Sequence, residues 1–181
     1  NQHVSQTISL NFAKTIEFLN WKEKEINPSL LDMNKDGLAD LLIGAGNQLY
    51  LLQNQSSKSS LSFSEPELIF THPVIEENLC PCGFLLEESL VIILGHRDGT
   101  LGLLRKQENK WTEDTDFFRN WKEKWQEEGE DPKGVFVTSD ASPSLYKTPQ
   151  NNYLLVIGSG DGSVKTFLLT IASGTPIIQA Y

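Results

Sequence analysis

Three stretches of the chain repeat one pattern: an apolar run, a glycine, a turn, and a second apolar run. They read ADLLIGAGNQLYLL (39–52), SLVIILGHRDGTLGLL (89–104) and YLLVIGSGDGSVKTFLL (153–169). The runs are strand-length and rich in Leu, Val and Ile. Asp98-Gly99 and Asp161-Gly162 supply the positive-φ residues that a tight hairpin turn requires. Each stretch is therefore expected to be a β-hairpin. The run before Gly44 is apolar almost without interruption, which predicts burial on both of its faces.

The repeated glycines are Gly44, Gly95 and Gly158, roughly fifty to sixty residues apart. Further echoes accompany them. Asn-Trp-Lys-Glu-Lys starts at Asn20 and again at Asn120, and Pro-Ser-Leu occurs at Pro28 and at Pro143, ahead of a repeated glycine each time. Long repeats made of hairpins point to a β-propeller. The fold expected is all-β: a partial β-propeller of about three antiparallel blades, with blade cores at 28–54, 79–106 and 135–170. The whole of 1–181 forms one such domain or a fragment of it. Three blades are too few to close a ring, since propellers need at least about four. More blades from the same polypeptide, a copy of the chain or another subunit are therefore expected to complete it.

Between the hairpins, LSFSEPELIF (61–70) alternates roughly and carries a proline suited to a sheet edge. NQSSKSS (54–60) reads as a polar loop. DFFRNWKEKWQEEG (116–129) predicts a short amphipathic helix over 116–128, with Phe118, Trp121 and Trp125 on its apolar face. Asp116 is placed to cap it and Gly129 to end it. The alternative is an outer strand with Trp121 and Trp125 on one face. Trp21 and Trp111 read as packing residues between blades.

Charge excludes some partners. A net charge of −9 opposes binding to nucleic acid and to anionic membrane surfaces, and favours cations or basic partners. No apolar run approaches the roughly 20 residues of a membrane-spanning helix. The chain starts at Asn1, without an initiator Met or a signal-peptide pattern, and so reads as a processed form or a fragment. The only cysteines, Cys80 and Cys82, are too close in sequence to pair without strain and too few for a four-cysteine zinc site.

DMNKDGLAD (32–40) is the most pointed local feature. Numbered from Asp32, side-chain oxygens fall at positions 1, 3, 5 and 9, on Asp32, Asn34, Asp36 and Asp40. Gly37 occupies the sharp turn at position 6, and Leu38 at position 7 offers its carbonyl. Hard Ca²⁺ takes six to eight oxygens in flexible geometry, and this ladder suits it. An EF-hand would need a bidentate Glu at position 12, where this chain has Ile43. The site expected is thus a calcium loop leading straight into a strand. The alternative is a plain turn, which would account for the Asp, Asn and Gly but not for their spacing.

At this loop, and in the strand, glycine and hairpin that follow it, the chain resembles the FG-GAP/VCBS-type repeats of integrin-like β-propellers. The likeness is close over 28–54 and weaker over 84–104 and 150–169. It implies that Asp32, Asn34, Asp36 and Asp40, with the Leu38 carbonyl, hold Ca²⁺. CPCGFLLEES (80–89) and LYKTPQNNY (145–153) stand where the other two loops should be, and neither keeps the acidic ladder.

No catalytic constellation emerges. GSGDG (158–162) precedes a strand-like run where a phosphate loop needs a helix, and the HRD at 96–98 lacks every other kinase signature. His3, His72 and His96 are the only histidines, and no nucleophile–base–acid set nominates any of them. A cysteine nucleophile at Cys80 or Cys82 has no partner pattern. The functional expectation is a non-catalytic, calcium-stabilised module for protein–protein interaction or assembly. One alternative is a ligand- or carbohydrate-binding domain of a secreted enzyme or adhesin. Another is an enzyme with a central site using His72 or His96. A single loop with three carboxylates suits extracellular calcium and a secreted or cell-surface location, with cytoplasmic propellers as the alternative.

Overall fold

A computed structural model of the chain describes residues 25–58, 60–74, 77–86, 89–119, 134–172 and 175–180. Each apolar hairpin recruits one strand on either side, giving three four-stranded sheets. The first holds β1 (Ile26–Leu31), β2 (Asp40–Ala45), β3 (Gln48–Leu52) and β4 (Glu67–Thr71). The second holds β5 (Cys80–Leu86), β6 (Ser89–Gly95), β7 (Leu101–Gln107) and β8 (Lys110–Asp114), with a short helix α1 (Asp116–Arg119) after it. The third holds β9 (Ser142–Lys147), β10 (Tyr153–Gly158), β11 (Val164–Ala172) and β12 (Thr175–Ala180). Within each sheet the strands pair antiparallel in chain order. Three meanders in a row are thus the architecture.

The expected turns form where the Asp-Gly pairs stand. Gly99 and Gly162 take φ of 84° and 83°, and Oδ1 of the preceding aspartate accepts the N–H of Thr100 in one turn and Ser163 in the other. Only glycine holds that backbone region without steric cost.

Strand alternation then sorts side chains between two seams. Leu42 on β2 and Ile92 and Leu94 on β6 meet between the first and second sheets, with Leu104 and Trp111 in the same cluster. Val91 and Ile93 on β6 point the other way and meet Tyr153, Leu155 and Ile157 of β10. β2 is buried on both faces, as its continuous apolar run predicts: Leu42 and Ile43 point oppositely and both are covered. Trp111 packs between sheets, as expected.

The repeated glycines set how closely successive sheets approach. A β-carbon on Gly44 would lie 1.9 Å from the carbonyl oxygen of Leu79, and one on Gly95 would lie 1.8 Å from that of Ala141. Both carbonyls belong to the segments that enter the next sheet. Each glycine therefore admits backbone where any side chain would collide.

The helix expected over 116–128 begins where predicted, at Asp116, and buries Phe118. Its cap differs from the expectation. Oδ1 of Asp114 accepts the N–H groups of Phe117 at 3.0 Å and Asp116 at 3.2 Å, so the first turn is satisfied two residues earlier than Asp116 would allow. Trp121, Trp125 and the Asn-Trp-Lys-Glu-Lys echo lie outside the described residues. The edge strand anticipated in 61–70 is β4, which starts directly after Pro66.

Candidate metal centres

The acidic loop connects β1 to β2. Two left-handed residues bend it, Lys35 at φ 62° and Gly37 at φ 88°, the latter at the position where the sequence calls for a sharp turn. Its carboxylates are spent largely on backbone. Asp32 accepts the N–H of Asp36 (3.1 Å) and of Gly37 (2.9 Å) through separate oxygens. Asp36 accepts the Leu38 N–H through Oδ1 and the Asn34 side-chain amide through Oδ2, both within 2.9 Å.

Asp40 differs from the rest of the ladder. It is fully buried, and its two oxygens take the N–H of Met33 at 2.8 Å and of Asn54 at 2.7 Å. One carboxylate thereby ties the loop entrance to the end of β3. Asp32, Asn34, Asp36 and Leu38 stay at the surface. Their hard oxygens have the chemistry Ca²⁺ selects, while Asp40 holds the loop's frame.

A second cluster forms where the first two sheets meet. His72 follows β4, Glu77 lies in the link to β5, His96 follows β6, and Glu113 projects from β8. All four side chains are nearly enclosed, at 5–11% exposure. The two imidazoles stand edge to face with centroids 5.0 Å apart. Glu77 Oε2 faces both Nδ1 atoms, at 3.8 Å from His72 and 3.7 Å from His96. Glu113 faces both Nε2 atoms, at 3.6 Å from His72 and 2.8 Å from His96. Each ring is held between two carboxylates.

The remaining contacts fix the carboxylates and the tautomers. Glu77 Oε1 accepts the backbone N–H of Arg97, leaving Oε2 turned to the rings. His72 Nδ1 accepts the N–H of Val74 at 3.2 Å, so a neutral His72 carries its proton on Nε2, toward Glu113. Glu113 Oε1 is buried close to His96 Nε2 yet meets no donor in hydrogen-bond alignment. Gly102 makes room for that carboxylate, because a β-carbon there would lie 1.8 Å from Oε1. Burial would lower the His96 pKa, but the contact with Glu113 and the charges of Glu113, Glu77 and Asp98 outweigh it and raise it. Beside the rings is a cavity of about 150 Å³, also lined by Asp98, Thr100 and Arg119.

Among the described residues, His72, Glu77 and His96 form the one set of three such side chains whose ligand atoms all lie within 4.8 Å of one another. Sequence spacing gives no hint of Glu77 or Glu113, and it nominates His72 and His96 only as test positions in an enzyme reading. The cysteines stand elsewhere, unpaired, on the face of β5 toward the third sheet. Burial pushes both thiols up, Cys82 to about 11, which is the opposite of what an activated nucleophile needs. Comparison with known protein families, curated proteins and solved structures returns no match.

Proposed function

We propose that the chain is a non-catalytic, propeller-type module for protein assembly, with Ca²⁺ at Asp32, Asn34, Asp36 and the Leu38 carbonyl, steadied by Asp40, bracing its first sheet. The observation that carries this reading is the third repeated glycine. Gly44 and Gly95 each receive a carbonyl from the segment entering the next sheet. Gly158 holds the same place on β10, but a β-carbon there would meet nothing nearer than Ser142 of its own sheet, at 3.7 Å. The same face presents Leu154, Val156 and Leu168, each half-buried, and Tyr146, which is 62% exposed. The face that takes the next sheet twice is thus repeated a third time and left uncovered among the described residues. A further sheet of the same kind, from the same polypeptide, a second copy or another subunit, fits it by shape and by apolar chemistry.

Two ligating carboxylates on a loop framed by the buried Asp40 suit the millimolar calcium found outside cells, and the reading sets the module there. Among the described residues no helix is long and apolar enough to cross a membrane. The test is the mass of the particle in solution, with calcium and with chelator, for the chain and for Asp36→Ala. Assembly beyond a monomer, weakened alike by chelator and by Asp36→Ala, is the expected result. A monomer at micromolar concentration that binds no apolar dye and gives no calcium heat overturns the reading.

A further inference from the structure

We propose that His72, Glu77 and His96 bind one borderline divalent transition ion of the Zn²⁺ class between the first two sheets, with Glu113 positioning both rings from behind. The donor set decides the class. Two imidazoles and a carboxylate suit zinc, whereas Ca²⁺ takes oxygen donors. The spacing agrees. Tetrahedral zinc with bonds of about 2.0–2.1 Å separates its ligand atoms by about 3.4 Å. Glu77 Oε2 lies 3.8 and 3.7 Å from the two Nδ1 atoms, a few tenths of an ångström from that figure, and the three ligand atoms as a set lie within 4.8 Å of one another.

The other side of each ring faces the kind of group that commonly supports a zinc histidine, a carboxylate. A ligating histidine usually gives its second N–H to a carboxylate, which fixes the tautomer and raises the basicity of the ligating nitrogen. Glu113 stands opposite both Nε2 atoms, and its Oε1 is buried without an aligned donor. With Nε2 protonated on both rings, the lone pairs are on the two Nδ1 atoms that lie nearest Glu77 Oε2. The Val74 N–H already requires this tautomer of His72, and the ion takes over that 3.2 Å contact.

A third observation is the construction of the pocket. Gly102 sits inside β7, where a side chain would strengthen the strand, and its missing β-carbon is what admits the Glu113 carboxylate. Three protein ligands leave a fourth position, and the adjoining cavity of about 150 Å³ has room for water there. The ligands come from the end of the first sheet, the link and the second sheet, so the ion would clamp one seam. This inference does not depend on the calcium loop.

The experiment is a calorimetric titration of the chelator-treated full chain with Zn²⁺, in parallel with Co²⁺ absorption and X-ray absorption of the zinc-loaded protein. One equivalent is expected, with visible four-coordinate Co²⁺ bands and a nitrogen–oxygen shell. Glu77→Gln and His96→Asn should abolish the site, and Glu113→Gln should weaken it about 10–100-fold. Asp36→Ala should leave the zinc heat unchanged. Because a ligand variant can fail to fold, circular dichroism accompanies each, and the absorption spectrum of the unaltered chain stands without them. The proposal is overturned if the folded chain gives no zinc heat, if the zinc shell contains sulfur from Cys80 or Cys82, or if folded Glu77→Gln binds as tightly as the original.

Discussion

The two seams between the three sheets follow one plan with different chemistry. Between the second and third sheets, Phe84, Val91, Ile93, Leu101 and Leu103 close against Tyr153, Leu155 and Ile157, an apolar filling. Between the first and second, the apolar cluster around Leu42, Ile92 and Trp111 gives way to His72, Glu77, His96 and Glu113. The backbone poses the same need at both. Arg97 and Gly160 each stand two residues past their strand's repeated glycine, and each donates its N–H to the link that precedes its own sheet. Arg97 finds the Glu77 carboxylate, while Gly160 finds the Ser139 carbonyl at 2.9 Å. His96 corresponds in the same way to Ser159, whose hydroxyl donates to that same carbonyl. A backbone oxygen therefore suffices to close a seam of this shape. Four buried ionisable groups at the other seam exceed what packing requires, which is the argument that they serve a ligand.

The shared plan is the easiest part to break. Gly44→Ala and Gly95→Ala each drive a β-carbon to within 2 Å of a carbonyl oxygen, and backbone has to move. Overpacking of this kind costs about 2–3 kcal/mol, measurable as a fall in the urea midpoint. In the monomeric chain Gly158→Ala, with its nearest neighbour at 3.7 Å, should stay within about 0.5 kcal/mol of the original, and where a further sheet covers that face it should cost as much as the other two. Equal losses at all three positions in a sample shown to be monomeric would mean that the glycines serve strand conformation and not the approach of sheets.

These glycines show how far the sequence can be read. Gly44, Gly95 and Gly158 are visible as a period because each lies in a local run whose apolar pattern survives, and the same holds for the Asp-Gly turns. The acidic ladder of Asp32, Asn34, Asp36 and Asp40 is legible for the same reason: its members lie within one loop. What the ladder does not reveal is that Asp40 is buried and engaged by Met33 and Asn54, since the second partner arrives through the pairing of β2 with β3. The His–Glu cluster is illegible in spacing, because it is gathered from a strand end, a link and two further positions on another sheet. The helix cap is illegible for the same reason on a smaller scale. Asp114 is the last residue of β8, and its side chain reaches forward to serve a helix that the pattern starts at Asp116.

The polar seam can be tested apart from the shared plan. Gly102→Ala places a β-carbon 1.8 Å from Glu113 Oε1 and 2.9 Å from His96 Nε2. The carboxylate is the end of a flexible side chain, so it should swing away at a cost of about 1–2 kcal/mol, less than either seam glycine. Differential scanning calorimetry on the metal-free protein measures that loss. Zinc affinity should drop in the same variant, because the rings lose the group that orients them. An unchanged melting temperature together with unchanged zinc binding would show that Glu113 has no part in the seam.

The dry seam offers the smallest and most local test, since it leaves stability alone and reads only reactivity. Cys80 and Cys82 lie two apart on β5 and so share the face toward the third sheet. Burial disfavours the thiolate at both, and Cys82, the more enclosed, is pushed up to about 11 from 9.0. A rise of that size lowers the thiolate fraction at pH 8 by about a hundredfold, and the thiolate is the species that alkylates. Cys80 also has the Ser142 hydroxyl 3.4 Å from its sulfur, which opposes the effect of burial. With iodoacetamide at pH 8, Cys80 should therefore react slowly, Cys82 far more slowly still, and both at the rate of a free thiol once urea opens the sheets. Mass spectrometry of the two labelled peptides separates the sites. If Cys82 labels first in the folded protein, water reaches the face between the second and third sheets, and the contrast between a dry seam and a polar one is lost.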